Sequence, residues 1–471
     1  MIPRISLVLG QAGTGKTTWL MEKVKEQAPE MLSSEHRSLL AITRMHGARR
    51  RVEVKLREAS PGIRYSVATI DSFALTIVNR WRTALGWSKP IQSVSNEVDF
   101  TESTFTIKAD FGKVIGAATQ LLESTTVSRI IGTSYPLIVI DEFQDCHGLL
   151  LEFVRRLSSC STLLVAADDF QLLDNSIIGR PAVEWAKALQ GDNGAHVTEL
   201  TACHRTSVHG ILEAARSLRN NTQANRTTVP VICCPKEGPV AWKIIEKLVF
   251  DHTHWSGTTA LICPSHDSFV QKVLNSCDTQ LRKRNLLPVR WDVEYTTEHE
   301  REKIRASLGL RHHEGGGNQW TVPSRALDSI AAHVVARSRY FARLKGMREI
   351  PRAVVEENVD WVVHQKRAYR TNFPLRTVTT VHGAKNREFD NVFVLWTFKV
   401  PPDESQQRRL LYNAVTRARR NCIVLVLGDV SRAADDSILS LLGPAQAAFP
   451  HYKKSKRDAK RSDGEAETRK E

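Results

Sequence analysis

Gly10-Gln11-Ala12-Gly13-Thr14-Gly15-Lys16-Thr17 is the stretch from which the rest of the chain is read. It fits G-x-x-x-x-G-K-S/T at every fixed position. An apolar run at 5–9 precedes it, and a helix-compatible run at 18–28 follows. This strand, loop and helix order is the context the pattern requires. Glycines let backbone N–H groups wrap an anion, and a helix N-terminus adds the positive end of its dipole. Gly10, Ala12, Gly13, Thr14, Gly15, Lys16, Thr17 and Thr18 are therefore expected to hold the phosphates of a nucleoside triphosphate, with ATP and Mg²⁺ as cofactors. Lys16 is placed to reach the β- and γ-phosphates, and the Thr17 hydroxyl to ligate Mg²⁺.

Working outward, short apolar runs recur at 39–43, 66–70, 137–140, 162–166, 240–245, 260–263, 377–381, 391–396 and 422–427. Continuous apolar runs bounded by turns fit strands buried on both faces, as in parallel sheets covered by helices. One cluster lies before residue 201 and one after 239. The expected fold class is α/β with two P-loop-type sheets. The expected domains are 1–200, with a small insertion at 86–134; 201–290 and 377–450, forming a split second domain; and a helical insertion at 291–376. That insertion contains Gly315-Gly316-Gly317 and a helical stretch at 325–344. From Tyr452 onward the chain is charged and small, which predicts a disordered basic tail over 451–471.

The run at 137–140 ends in Asp141-Glu142. An Asp at a strand's carboxyl end can hold Mg²⁺, and the adjacent Glu142 is placed to polarise an attacking water as general base. An acidic pair after a strand is common by itself. With the phosphate loop upstream it gains a role.

Composition bounds the partners. The chain has 471 residues, too many for one core, and a formal net charge of +15 that favours a polyanion such as nucleic acid. Eight cysteines form no C-x-x-C pair, and Cys233 and Cys234 are adjacent, so small buried thiols in a reducing compartment are expected. No run approaches the roughly 20 apolar residues of a membrane span, and the short stretch before the phosphate loop is not expected to be a signal peptide. A cytoplasmic or nucleoid- or nucleus-associated protein without a membrane partner is expected.

From here the residues carry a resemblance. Asp141-Glu142-Phe143-Gln144-Asp145 resembles motif II of superfamily 1 helicases of the UvrD, Rep and PcrA type. The stretch 43–56 resembles motif Ia, and Thr69-Ile70-Asp71-Ser72-Phe73-Ala74 resembles the T-F-H-S-F element. Ala167-Asp168-Asp169-Phe170-Gln171 resembles motif III, and 200–206, ending His204-Arg205-Thr206, resembles motif IV. The stretches 381–390 and 410–419 resemble motifs V and VI. Each motif is weak alone; in this order they are a specific signal spanning 5–427.

The resemblance implies two RecA-like domains with ATP between them, and an ATP-dependent DNA helicase or translocase of 3′-to-5′ polarity. It implies that Gln171 senses the γ-phosphate, that Glu388 contacts the ribose, and that Arg205 and Arg417 act as arginine fingers brought in by a closing second domain. Thr43, Arg44, His46, Ser72, Phe73, His382 and Lys385 are the implied contacts to single-stranded or tailed DNA, with Arg49-Arg50-Arg51 a further phosphate track or simply a solvated helix face. Phe73 stacks on a base or packs inside. Arg419 and Arg420 read as surface ion pairs.

Several departures stand out. The stretch before Gly10 leaves no room for the family's adenine-reading glutamine motif. Leu172-Leu173-Asp174-Asn175 replaces the usual Tyr and Trp, and Arg44 replaces an aromatic. These point to phosphate contacts over base stacking, with a steep salt dependence. No nuclease signature follows motif VI, so a nuclease would be a separate partner. Two alternatives stay open: a DNA-stimulated ATPase that senses for a partner complex without unwinding, and an RNA helicase.

Overall fold

The computed structural model describes residues 4–43, 46–94, 99–102, 106–174, 177, 179–190, 194–224, 226, 228–265, 268–294, 297–310, 319–323, 327–344, 346–368, 374–397 and 400–448. Side chains at 46–51, 94, 297, 319 and 364–368 lie outside that description. Arg44, the His46 side chain, Arg49-Arg50-Arg51, Gly315-Gly316-Gly317 and the basic tail thus fall outside it. The chain divides into two compact units, 1–206 with 294–374, and 207–293 with 375–471.

In the first unit, six strands among the described residues form one parallel sheet: β1 (Ile5–Gly10), β2 (Leu39–Thr43), β3 (Tyr65–Thr69), β4 (Leu137–Ile140), β5 (Thr162–Ala167) and β6 (Ala195–Leu200). Their spatial order is β3-β2-β4-β5-β1-β6. Both faces are covered. Leu7, Ile42, Ile138 and Val165 pack toward one side, while Val8, Ala41, Val139 and Leu164 pack toward the other. Neighbouring residues thus serve opposite faces, as the pleat requires, so the strands read as continuous apolar runs.

Helix α1 (Lys16–Met31) follows β1, α2 (His46–Ala59) follows β2 and α3 (Ile70–Arg80) follows β3. Thr69 caps α3 through a reciprocal pair with Ser72. Helices α4 (Phe111–Leu121), α5 (Thr125–Ser134) and α6 (Gly148–Ser158) complete the covering of the face on which Ile115 and Phe153 are buried. The small insertion contributes strands Ile91–Val94, Thr101–Glu102 and Ile107–Asp110.

The segment 294–374 builds its own core from Ile304, Leu308, Val334, Val355 and Val359, among others. Helix Arg352–Ala368 touches α2, and Glu357 lies 3.4 Å from Lys108.

Among the described residues the second unit carries a seven-stranded parallel sheet: β7 (Val231–Cys234), β8 (Thr259–Cys263), β9 (Asp292–Val293), β10 (Arg376–Thr380), β11 (Phe389–Trp396), β12 (Ala418–Leu427) and β13 (Gln446–Ala447), in the order β9-β10-β8-β11-β12-β7-β13. The segment 294–374 leaves this sheet after β9 and returns at β10. One expected strand is corrected. The run at 240–245 belongs to the helix Glu237–Ile245, and the strand lies earlier, at β7. A short apolar run has no period long enough to separate a buried helix from a strand. The α/β fold with two parallel, helix-covered sheets is otherwise the one expected.

Candidate nucleotide-hydrolysis site

The phosphate loop leaves the carboxyl end of β1 and enters α1. Gly13 and Gly15 take φ values of +82° and +85°, in the left-handed region that side chains rarely enter. Gly15 is the N-cap of α1, so the helix begins where an anion would sit. The loop holds itself: the Thr14 hydroxyl donates to the Gln11 carbonyl at 2.9 Å, and Lys16 Nζ donates to the Gly10 and Gln11 carbonyls at 2.9 and 3.0 Å. Ala12 and Thr14 are buried, and Thr18 is exposed on the first turn.

A second segment braces the loop. The His204 N–H donates to the Gly13 carbonyl at 2.7 Å, and the Cys203 thiol to the Ala12 carbonyl at 3.5 Å. A Cβ on Gly13 would lie 2.9 Å from Cys203 Sγ and collide with the Cβ of Arg205. Glycine is needed there for space as well as for φ. These contacts correct one expectation. Arg205 needs no second domain to bring its backbone to the loop, because 203–205 already lies against it in the first unit.

The acidic pair sits two strands away at the carboxyl end of β4. The Thr17 hydroxyl is 3.4 Å from Asp141 Oδ2. Burial, then the neighbouring Glu142 charge, push the Asp141 carboxyl up to about 6, against the pull of Lys16. Two oxygen donors in a spot crowded with negative charge fit a hard divalent cation. Thr17 and Asp141 would hold Mg²⁺, which there offsets charge on the triphosphate oxygens.

Glu142 itself adopts φ +61°, a left-handed backbone for a residue with a Cβ. Such strain persists only where surrounding contacts fix it. Here the Glu142 N–H donates to Asp141 Oδ1 at 3.1 Å and the Glu142 backbone carbonyl accepts the Asp145 N–H at 3.1 Å, while the Glu142 carboxylate accepts Gln144 Nε2. Gln144 Oε1 accepts the Asp168 N–H at 3.0 Å, and Asp168 Oδ2 accepts Gln171 Nε2 at 2.8 Å, with Lys16 Nζ 4.0 Å away. Gln144, Asp168 and Gln171 are all buried, so this relay works in low dielectric, where each bond counts for more. It ties the expected general base to the expected γ-phosphate sensor. Gln144 and Asp168 were not singled out from sequence, although both stand inside quoted motifs. Their spacing to Glu142 and Gln171 was the available signal.

The remaining candidates are spread out. Thr43 is buried at the end of β2, and Ser72 spends its hydroxyl on the Thr69 carbonyl at the start of α3. Phe73 is corrected to a core residue: it is 4% exposed and meets Tyr135 and Phe153 edge-on, at 5.6 and 6.3 Å between centroids. A ring so enclosed offers no face to a base. Leu172 and Leu173, where aromatics were missed, are buried too.

In the second unit, His382 and Lys385 lie in the turn after β10, His382 exposed and Lys385 buried. Glu388 pairs with Arg419 at 2.6 Å, and Arg420 lies 3.8 Å from Asp390, as surface ion pairs. Arg417 is 1% exposed; its Nε donates to the Asn413 carbonyl at 3.0 Å and its Nη1 to the Arg387 carbonyl at 3.5 Å.

A glycine-wrapped loop on a parallel sheet, with a Lys, a Thr and an acidic strand end converging on it, defines a P-loop nucleoside triphosphatase. Residues 2–176 match the family described as the AAA domain, and residues 376–425 match the UvrD-like helicase C-terminal domain. Together these matches support the resemblance to UvrD-like superfamily 1 helicases, enzymes that hydrolyse ATP. A solved structure of a Pif1 helicase from Bacteroides, in complex with ADP-AlF3 and single-stranded DNA, aligns over 98% of this chain and 93% of its own, at 14% identity and a TM-score of 0.36. No curated protein matches the chain. Among the described residues no helix is long and apolar enough to cross a membrane.

Proposed function

We propose that the chain is an ATP- and Mg²⁺-dependent motor that moves 3′-to-5′ along single-stranded DNA. Supporting this is the placement of the acidic pair beside the first-unit nucleic-acid candidates. Asp141 ends β4, Thr43 ends the adjacent β2, and Ser72 opens the helix after the next strand, β3. Adjacent strands lie about 5 Å apart, so a change at the hydrolysing edge is felt within one or two strands. Ligands of open parallel sheets gather at this carboxyl edge.

In this reading Lys16 and the loop amides hold the β- and γ-phosphates. Glu142, aimed by Gln144, takes a proton from the attacking water, and Gln171 reports the γ-phosphate through Asp168. Arg205 and Arg417 stabilise the charge that spreads over the transferring phosphoryl group. Glu388 contacts the ribose, which requires it to exchange its partner Arg419. His382 and Lys385 hold strand phosphates, and the charge of +15 makes that hold steeply salt-dependent.

The test measures ATP turnover with and without single-stranded DNA or RNA, then separation of duplexes carrying a 3′ or a 5′ tail. Stimulation by DNA with unwinding only from 3′ tails supports the motor. Stimulation without strand separation sinks the helicase reading and leaves a sensing ATPase that acts for a partner such as a nuclease. Stimulation by RNA alone moves the substrate to RNA.

A further inference from the structure

A cavity of about 330 Å³ opens in the first unit where three helices begin. Ile70 and Asp71 come from the first turn of α3, Phe111 from α4, and His147 and Leu149 from the start of α6, with Ile115 behind them. Its volume is at the small end of ligand pockets, roughly 300–1,000 Å³. None of these residues belongs to the nucleotide site.

We propose that this cavity receives one unstacked base of the bound strand. The proposal rests on the nucleic-acid reading above and names a subsite for it. Three observations carry it. The walls are apolar with one aromatic, Phe111, which suits the faces of a heterocycle, while Asp71 and His147, whose Nε2 lies 3.5 Å from Asp174, give polar groups for its edge. Leu149 is 52% exposed at the start of α6, an aliphatic side chain left toward solvent in a strongly charged protein.

Second, of the three helices that start there, Thr69 caps α3 and the Asp110 carboxylate caps α4, while the His147 cap of α6 makes no side-chain bond to its helix. The N-terminus of α6 is therefore the one that favours the phosphate accompanying a base. Third, Asp71 directly precedes Ser72, and His147 lies five residues beyond Glu142. The turn between them, Phe143–Asp145, is buried and includes Gln144, which holds the Glu142 carboxylate. A base seated against His147 and Leu149 therefore presses on the segment that aims the general base.

The experiment uses the full chain, an oligo-dT strand, and an abasic strand of equal length and charge. For Leu149→Ala and Phe111→Ala, the oligo-dT concentration that half-saturates ATPase stimulation is expected to rise roughly tenfold, the order of one stacked base. Half-saturation by the abasic strand should stay where it is in the parent chain. A strand with one 2-aminopurine should change fluorescence on binding the parent chain, and less on binding either variant.

Equal oligo-dT requirements in parent and variants overturn the pocket. So do equal losses for both strands, which would mark a backbone contact, and so does an unchanged 2-aminopurine signal in the parent. If no strand stimulates the parent chain, the motor reading itself fails and takes the pocket with it. That outcome is visible before any variant is made.

Discussion

The two sheets treat their functional side chains differently. At the carboxyl edge of the first, Lys16, Thr17, Asp141, Glu142, Gln144, Asp168 and Gln171 are joined in a chain of hydrogen bonds and one ion pair, and 203–205 braces the loop from behind. In the second, the corresponding candidates are engaged by their own unit. Arg417 is bound to the Asn413 and Arg387 carbonyls, and Glu388 to Arg419. The first unit's candidates are linked to one another, whereas the second unit's are bonded within their own unit; in the proposed reading those bonds are matched or exchanged during turnover. Removing a first-unit group should therefore act on chemistry, and removing a second-unit group on stability as well.

The largest effect is expected at Lys16 and Glu142. Lys16→Ala or Glu142→Gln should lower strand-stimulated turnover by roughly 10²- to 10⁴-fold with little loss of stability, since each removes a charge-stabilising or proton-accepting group. A thermal melt beside a steady-state ATPase assay checks both halves. Turnover near that of the parent in either variant would break the comparison at its stronger side.

Gln144→Ala sharpens it. The residue touches no substrate in this arrangement but bonds the Glu142 carboxylate, so kcat should fall roughly 10²-fold, as for a misplaced base, while KM for ATP hardly moves. A loss confined to KM would show that Gln144 shapes nucleotide binding instead. Gly13→Ala should raise KM for ATP, because the new Cβ meets Arg205 and Cys203 at a positive φ.

In the second unit, Arg417→Ala should cost about 1–3 kcal/mol of stability by leaving buried carbonyls unsatisfied, on top of any lost turnover. Arg419→Ala, with its side chain half exposed, should cost under about 1 kcal/mol. Denaturant midpoints of the pair decide it. Equal shifts would mean that burial of Arg417 is not what sets its contribution.

The smallest effect concerns thiols. Burial pushes Cys234 and Cys277 up to about 12, and Cys422 higher still, so these stay protonated and unreactive near pH 8. Half-buried Cys160 and Cys203 should alkylate first. ATP should then protect Cys203, which touches Ala12, and leave Cys160 unprotected. Peptide mass spectrometry reads both sites, and protection of Cys160 would count against this placement.

Much of the first unit was legible because its determinants are local. Eight consecutive residues specify the phosphate loop through glycine φ values and a helix start, and four apolar residues followed by Asp141-Glu142 specify an acidic strand end. The run at 240–245 was misread for the complementary reason: β-branched residues in a short buried segment satisfy helix and strand alike until the neighbouring elements are known. Phe73 stood in a nucleic-acid motif, yet its environment comes from Tyr135 and Phe153, 62 and 80 positions further along by subtraction of residue numbers.

By itself, then, the sequence determined two parallel α/β sheets, a triphosphate loop and the acids that face it. These follow from residue type, short spacing and hydrophobic runs. Only the tertiary structure decided that Gln144 and Asp168 link Glu142 to Gln171, that the Arg205 backbone lies beside the loop, and that three helix ends line a cavity. Each of these is a contact between segments far apart in the chain. Their formation depends on strand order and packing, which no local pattern encodes.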